Sequence, residues 1–387
     1  MSGDLQPDIR SLTHVVLQNF FLQHGGRKFR ADQTYNWLWN KGCQSFDEMT
    51  SLSKADRLLL THHFSFRVAR VDHFQASRDG TLKVVFRTHD DRCVEGVLIP
   101  SADRYTACIS SQIGCALACN FCATGRLGFS RNLTTGEIFD QVVALSGLAG
   151  TRRDEQYTEG GKKKNSENDT VPGHNLSNIV FMGMGEPLLN YENVTQAIDR
   201  ITSPDGMNLS PQRITVSSVG IPKMIRKMAD DGVKFHFALS LHAATDEKRN
   251  QLIPVNRKFP LTEVSDSLKY FYRLTGKRIT IEYILFDRVN DTRNDAQALA
   301  GFCKSFPVKI NIIQYNQVPD SGFIKTSEEK LRAFVEFLEQ KNLVINVRKS
   351  RGEDIDAACG QLAGKLIQNA VPAEPSTPEA ENKLTEL

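Results

Sequence analysis

From about residue 105 onward, short apolar runs rich in β-branched residues alternate with helical stretches. Seven runs have this character, at 105–112, 178–185, 213–220, 234–242, 278–286, 309–316 and 343–350. The segments between them, such as 135–148 and 328–341, place apolar residues every three or four positions. Repeated strand–helix units demand a parallel sheet, open or closed into a barrel. In such folds chemistry gathers at the C-terminal ends of the strands. Polar residues at the ends of these runs are therefore the first candidates for a site.

The part before residue 105 differs. Residues 11–23, 30–42 and 46–64 read as helices, and 80–100 reads as two strands around a polar Asp-Asp-Arg turn. Together they predict an N-terminal module, 1–100, of helices plus a hairpin. The core then covers 101–350, followed by a short segment, 351–370. Two stretches read as disordered: a charged insertion at 151–175 and a Pro/Glu-rich tail at 371–387. With 48 Lys and Arg against 45 Asp and Glu, the net charge of +3 allows an anionic partner without requiring one. No stretch approaches the ~20 apolar residues of a membrane span. The polar start, with two Asp in its first eight residues, excludes a signal or transit peptide. Reduced thiols in a cytoplasmic setting are expected, so the cysteines read as ligands, reactive groups or core fillers.

Four of the eight cysteines lie within fifteen positions, in "CISSQIGCALACNFC". Cys115, Cys119 and Cys122 have C-x-x-x-C-x-x-C spacing after the first core strand, and Thr134 with Glu137 forms a capping box for the next helix. Three thiolates in one loop suit a [4Fe–4S] cluster with one iron left open. A structural zinc is closed by four ligands. Cys108 is the available fourth, but it belongs to the strand-like run.

The spacing, and with it "GFSRNLTTGEI", "FMGMGEPLLN", "ALSLHAATDEKRNQLIPVN" and "RGEDIDAACGQLAGKL", resembles the RlmN/Cfr family of radical S-adenosylmethionine (SAM) RNA adenine methyltransferases. The helical N-terminus, with "FRADQTYNWLWNKG", resembles the RlmN branch. The resemblance runs over roughly residues 10 to 370 and implies a partial (β/α) barrel. It implies a [4Fe–4S] cluster on Cys115, Cys119 and Cys122, and SAM used twice per turnover. Gly185, Glu186, Ser217, Ser240, Leu241, His242 and Asn316 would bind SAM. Each also has an ordinary reading: a turn for "GMGEP", core or turn duty for a lone Ser or Asn, a satisfied buried ring for the histidine.

The resemblance also assigns three reactive residues. Cys359, which in isolation reads as a small core residue beside alanines, would carry a methyl group on its sulfur. Cys108 would resolve the resulting protein–RNA thioether, leaving a Cys108–Cys359 disulfide. Glu95 would take the hydrogen of adenine carbon 2 as a proton, although Glu in such a strand more often faces solvent. Cys43, Cys93 and Cys303 match no motif and read as structural. The implied partners are 23S rRNA at the peptidyl-transferase centre, in some members tRNA beside the anticodon, and an external electron donor such as flavodoxin, with the protein a monomer. Basic candidates for RNA are Arg27, Lys28, Arg30 and Lys41 in the N-terminal module and Lys162 to Lys164 in the insertion. Arg126 and Arg131 after the cluster, and Arg348, Lys349 and Arg351 near Cys359, complete the set. The alternatives are methylation at carbon 8, as in the Cfr branch, and an RNA-binding protein with a structural zinc.

Overall fold

The computed structural model describes residues 6–102, 104–159 and 175–362. Three helices open the chain: α1 (His14–Gln23), α2 (Phe29–Trp39) and α3 (Lys54–His63). Side-chain caps start two of them. Thr13 accepts from the Val16 N–H, and Ser53 from the Asp56 N–H. The helices are anchored to the rest of the protein through a buried ion pair. Arg10 Nη1 lies 2.6 Å from Asp140 Oδ1, and the Trp39 ring meets Phe139 edge to face at 5.2 Å.

Three antiparallel strands follow: β1 (Arg70–Ala76), β2 (Leu82–Arg87) and β3 (Cys93–Ser101). β3 pairs antiparallel with β4 (Arg104–Cys108). The hairpin expected inside an N-terminal module thus extends the core sheet as its antiparallel edge. Beyond β4 come a two-stranded ribbon and the helices and strands of the core. The ribbon is β5 (Gln112–Gly114) with β6 (Phe129–Asn132), and the short helix α4 (Ala123–Arg126) lies between its strands. Helix α5 (Thr135–Glu159) returns the chain to β7 (Asn178–Phe181), and α6 (Tyr191–Thr202) leads to β8 (Ile214–Ser218). Then α7 (Pro222–Asp230), β9 (His236–Ser240), α8 (Asp246–Leu252), α9 (Leu261–Thr275) and β10 (Ile279–Leu285) continue the alternation. The core ends with α10 (Arg293–Phe302), β11 (Val308–Gln314), α11 (Glu328–Glu339) and β12 (Ile345–Arg348).

All seven core strand runs expected from the sequence form strands, and β4, β7, β8, β9, β10, β11 and β12 lie side by side in that order, parallel throughout. Laid flat, β7 and β12 would stand roughly 24 Å apart, at about 4.8 Å per strand spacing. Yet Arg348 Nη1, at the end of β12, lies 4.0 Å from Met182 Sδ, just past β7. The sheet therefore curls until β7 and β12 face one another across an interior, which is a partial barrel.

α5 exceeds the sequence reading. Residues 151–159, expected in the disordered insertion, continue the helix, because Arg, Gln and Glu favour it and the first Gly comes only at 160. Arg152 donates to the Gly80 carbonyl and so ties this end to the β1–β2 turn. The remainder of the insertion through 174, with Lys162 to Lys164, and the tail lie outside the described residues.

Candidate active site

The cysteine loop sits between β5 and α4, over the C-terminal ends of the barrel strands. Leu117, Cys119 and Phe121 pack there against Val219, Leu252, Ile253 and Phe286, in an apolar cluster separate from the main core. Cys119 is buried, while Cys115 and Cys122 are partly exposed. Burial pushes the Cys115 thiol up to about 12 and Cys119 well above its usual range, with neighbouring loop thiols adding to both. Such a set stays protonated until a cation displaces the protons.

The donor set fits an iron–sulfur cluster better than a single ion. Among the described residues, three potential ligand atoms lie within 4.8 Å of one another only at His89, Asp90 and Glu137. At least one pair of the three loop sulfurs therefore stands wider apart than ligands converging on one tetrahedral zinc. At the His89 group the cation is already present. Arg131 bridges Asp90 and Glu137 at 2.7 and 2.8 Å. Of the basic candidates for RNA, Arg131 is engaged in this ion pair, and the exposed Arg126 donates to the Pro319 and Asp320 carbonyls.

Next to the loop stand the ends of β7, β8 and β9. Gly185 has φ +94°, and a Cβ there would lie 2.4 Å from Gln112 Cβ, so glycine is required by the close approach of the start of β5. Glu186 is buried. Its carboxylate accepts from the Leu188 N–H at 3.0 Å and the Val219 N–H at 3.1 Å. Burial raises its pKa to about 7, against the pull of these N–H groups and Ser218. Ser217 and Ser240 hydroxyls meet at 3.1 Å across β8 and β9. His242 holds a left-handed φ of +55°, an unusual conformation for a side chain this size. Its Nδ1 accepts from the Ile284 N–H at 3.1 Å, so Nε2 carries the proton. Burial, with Arg249 nearby, lowers its pKa to about 3, and the ring stays neutral. Leu241 is buried behind it. Asn316, past β11, has a buried Oδ1 with no hydrogen-bond partner, a vacancy suited to a polar ligand.

Two residues that sequence reasoning missed organise these ends. Arg249, on α8, is fully buried and donates to the carbonyls of Val219, Ser240 and Leu241 and to Asn256 Oδ1. Nothing in the sequence separates it from exposed charges such as Lys258. Glu282 is the other, and it had a signal: an acidic residue inside the apolar run of β10. Its Oε1 accepts from Asn311 Nδ2 at 2.7 Å, and Oε2 lies 3.5 Å from Arg348 Nη1.

The distant cysteine arrives by a return of the chain. After β12, residues 349–362 cross back over the barrel mouth. The Ala123 N–H donates to the Gly360 carbonyl at 2.8 Å, and Thr124 Oγ1 to the Leu362 carbonyl at 2.6 Å. Cys359 and Cys122 line one cavity with His242, Glu282 and Arg348. Cys359 and Cys108 line the adjoining one, again with Arg348. Glu95 is buried on β3 rather than facing solvent. Helix α5 covers the opposite face of β3 at Gly96, and Glu95 lies on the face that carries Val97 and its partner Cys108. Lys83 Nζ stands 3.9 Å from Glu95 Oε1. Cys43, Cys93 and Cys303 are buried.

A curled parallel sheet with three loop thiols at its mouth defines the radical SAM class, here a methyltransferase. The crystal structure of a radical SAM methyltransferase from Sphaerobacter thermophilus superposes with a TM-score of 0.81 at 35% identity, covering 92% of this chain and 99% of that one. A probable dual-specificity RNA methyltransferase RlmN from Christiangramia forsetii is 48% identical over 94% of this chain and 97% of its own length. One from Salinibacter ruber is 41% identical over 92% of this chain and 94% of its own. Residues 8–65 match the family model for the ribosomal RNA large subunit methyltransferase N-terminal domain. The chain belongs to the RlmN family of radical SAM RNA methyltransferases, whose chemistry implies a [4Fe–4S] cluster and SAM. No helix among the described residues is long and apolar enough to cross a membrane.

Proposed function

We propose that the protein methylates carbon 2 of an adenine in 23S rRNA at the peptidyl-transferase centre, and of an adenine in tRNA beside the anticodon. The observation that carries this reading is Cys359, which lines one cavity with Cys122 and the next with Cys108. Cys115, Cys119 and Cys122 would hold the cluster. Gly185, Glu186, Ser217, the Ser240–His242 segment and Asn316 would hold SAM. When bound, these groups supply a methyl donor and a one-electron route to a carbon radical. Carbon 2 of adenine is not nucleophilic, so direct displacement by the base fails there.

The chain's own residues do the rest. Cys359 carries the methyl group on its sulfur and becomes linked through it to the base. Glu95 takes the carbon-2 hydrogen as a proton. Cys108 attacks the Cys359 sulfur and frees the product, and an external reductant opens the disulfide. The orphaned Asn316 Oδ1 and the neutral His242 Nε2–H offer one acceptor and one donor to the cofactor. Two SAM molecules per turnover, a flavodoxin-like donor, a monomeric state and a cytoplasmic site complete the proposal. The helices matched at 8–65 serve as the additional RNA grip.

Nucleoside mass spectrometry of rRNA and tRNA treated with reconstituted protein tests this. 2-Methyladenosine is expected; 8-methyladenosine would replace the reading with the Cfr-type one. Colourless protein holding one zinc and no sulfide would remove the enzyme reading altogether. Cys108→Ala is expected to accumulate a covalent RNA adduct, seen as a slow band in denaturing gels.

A further inference from the structure

Cys108 presents a chemical difficulty. It ends β4 on the interior face and is 7% exposed, and burial, then the neighbouring Cys359 sulfur, push its thiol up to about 12. A thiol must lose its proton to attack a sulfur. Some group has to favour the anion at this position.

The charged and titratable groups around it are few. From β3 comes Glu95, with Lys83 of β2 beside it at 3.9 Å. From the returning segment come Cys359, Lys349 and Arg351, which line the Cys108 cavity, and from β12 comes Arg348, which lines both thiol cavities. Lys83 is turned to Glu95, Arg351 is paired with Asp79 at 3.9 Å, and Lys349 is exposed to solvent, so Arg348 is the partly buried cation beside the sulfurs. It opposes the burial of both Cys108 and Cys359. The Met182 backbone N–H adds a hydrogen bond to the Cys108 sulfur.

Arg348 is also built into place. Asn346 donates to Asn311 at 3.1 Å, and Asn311 donates to Glu282 at 2.7 Å. Glu282 Oε2 stands 3.5 Å from Arg348 Nη1. This row runs across β12, β11 and β10, in the register Asn346, Asn311, Glu282. Arg348 follows Asn346 by two residues, on the same face, and closes the row back toward Met182. Such a ladder holds a guanidinium at a fixed depth.

We propose that Arg348, anchored by Glu282, is a positioning residue that favours the Cys108 thiolate and sets it beside Cys359 for the release step. The proton lost by Cys108 passes to water. The inference rests on the reading of Cys108 as the resolving thiol, and its test does not require RNA turnover.

The test is the rate at which iodoacetamide alkylates Cys108 in the cluster-loaded, reduced full-length protein at pH 8, read by peptide mass spectrometry. Far below the thiol pKa this rate follows the thiolate fraction. Arg348→Met is expected to slow it about tenfold, since an opposite charge at this range moves a pKa by about one unit or more. Arg348→Lys is expected to stay within about threefold of wild type, and the profile of log rate against pH keeps its slope while shifting. An unchanged or faster rate in Arg348→Met, with native circular dichroism, overturns the inference. A Lys variant as slow as the Met variant also overturns it, because charge is then not the cause. The resolving-thiol reading fails separately, if Cys108→Ala releases free methylated RNA.

Discussion

The two walls of the barrel mouth are held in different ways. On the β8–β9 side, one fully buried guanidinium, Arg249, satisfies the Val219 carbonyl past β8, the Ser240 and Leu241 carbonyls at the end of β9, and an asparagine side chain. On the other side, the segment that carries Cys359 is held by single hydrogen bonds spread along its length, each to a different part of the protein. Ser77 Oγ and the Arg78 N–H donate to Asp354, the Gly352 N–H donates to Asp79, and Gln361 Nε2 donates to the Gln317 carbonyl at 3.0 Å, while beside Cys359 the Ala123 N–H donates to Gly360 and Thr124 to Leu362. A wall meant to position a cofactor is built as part of the core. The arm that carries Cys359 has no such single hub, so its contacts can open one at a time by local fluctuation.

The largest expected effect breaks the rigid wall. Arg249→Met leaves several buried carbonyls without donors and should cost about 3 kcal/mol or more, measured by urea unfolding. The next is set by pH. Burial holds His242 neutral with a pKa of about 3, whereas the unfolded ring titrates near 6.5. Below pH 6.5 the unfolded chain therefore binds the extra proton, and stability falls as the pH drops toward 3. Between pH 7 and 5 wild type should lose about 2 kcal/mol that His242→Gln does not lose from this source. Equal pH slopes for the two proteins would refute this. The smallest effect sharpens the contrast. Thr124→Val removes one hydrogen bond worth about 1 kcal/mol. It should leave global unfolding nearly unchanged while raising hydrogen exchange in 349–362. Slowed exchange, or a global loss as large as that of Arg249→Met, would show that the arm does not open by local fluctuation.

Much of this was legible in the chain. Seven apolar runs predicted seven parallel strands because a parallel sheet is buried on both faces and leaves continuous hydrophobic runs. The Thr134–Glu137 capping box forms, with reciprocal bonds of 2.9 and 3.2 Å. Strand β1 was not legible, since an exposed edge shows no apolar alternation. Glu95 reads as a surface residue until α5 and the curl of the sheet enclose both faces of β3. The cysteine motif gave the loop, but the row from Asn346 to Glu282 exists only through cross-strand register. Local sequence carries no trace of that pairing. Arg249 is hidden for the same reason: its acceptors are backbone atoms of distant loops.

The bond between Thr124 and Leu362 joins residues 238 positions apart. During synthesis, the thiol loop is made early and the arm late. Until the arm reaches Thr124, the loop lacks the wall that carries Cys359. A ribosome making this protein therefore releases a chain whose cysteine loop and Cys359 arm meet only after nearly the whole barrel has been threaded and closed. The order of translation itself keeps the two thiol-bearing segments apart until there is a folded interior to contain them.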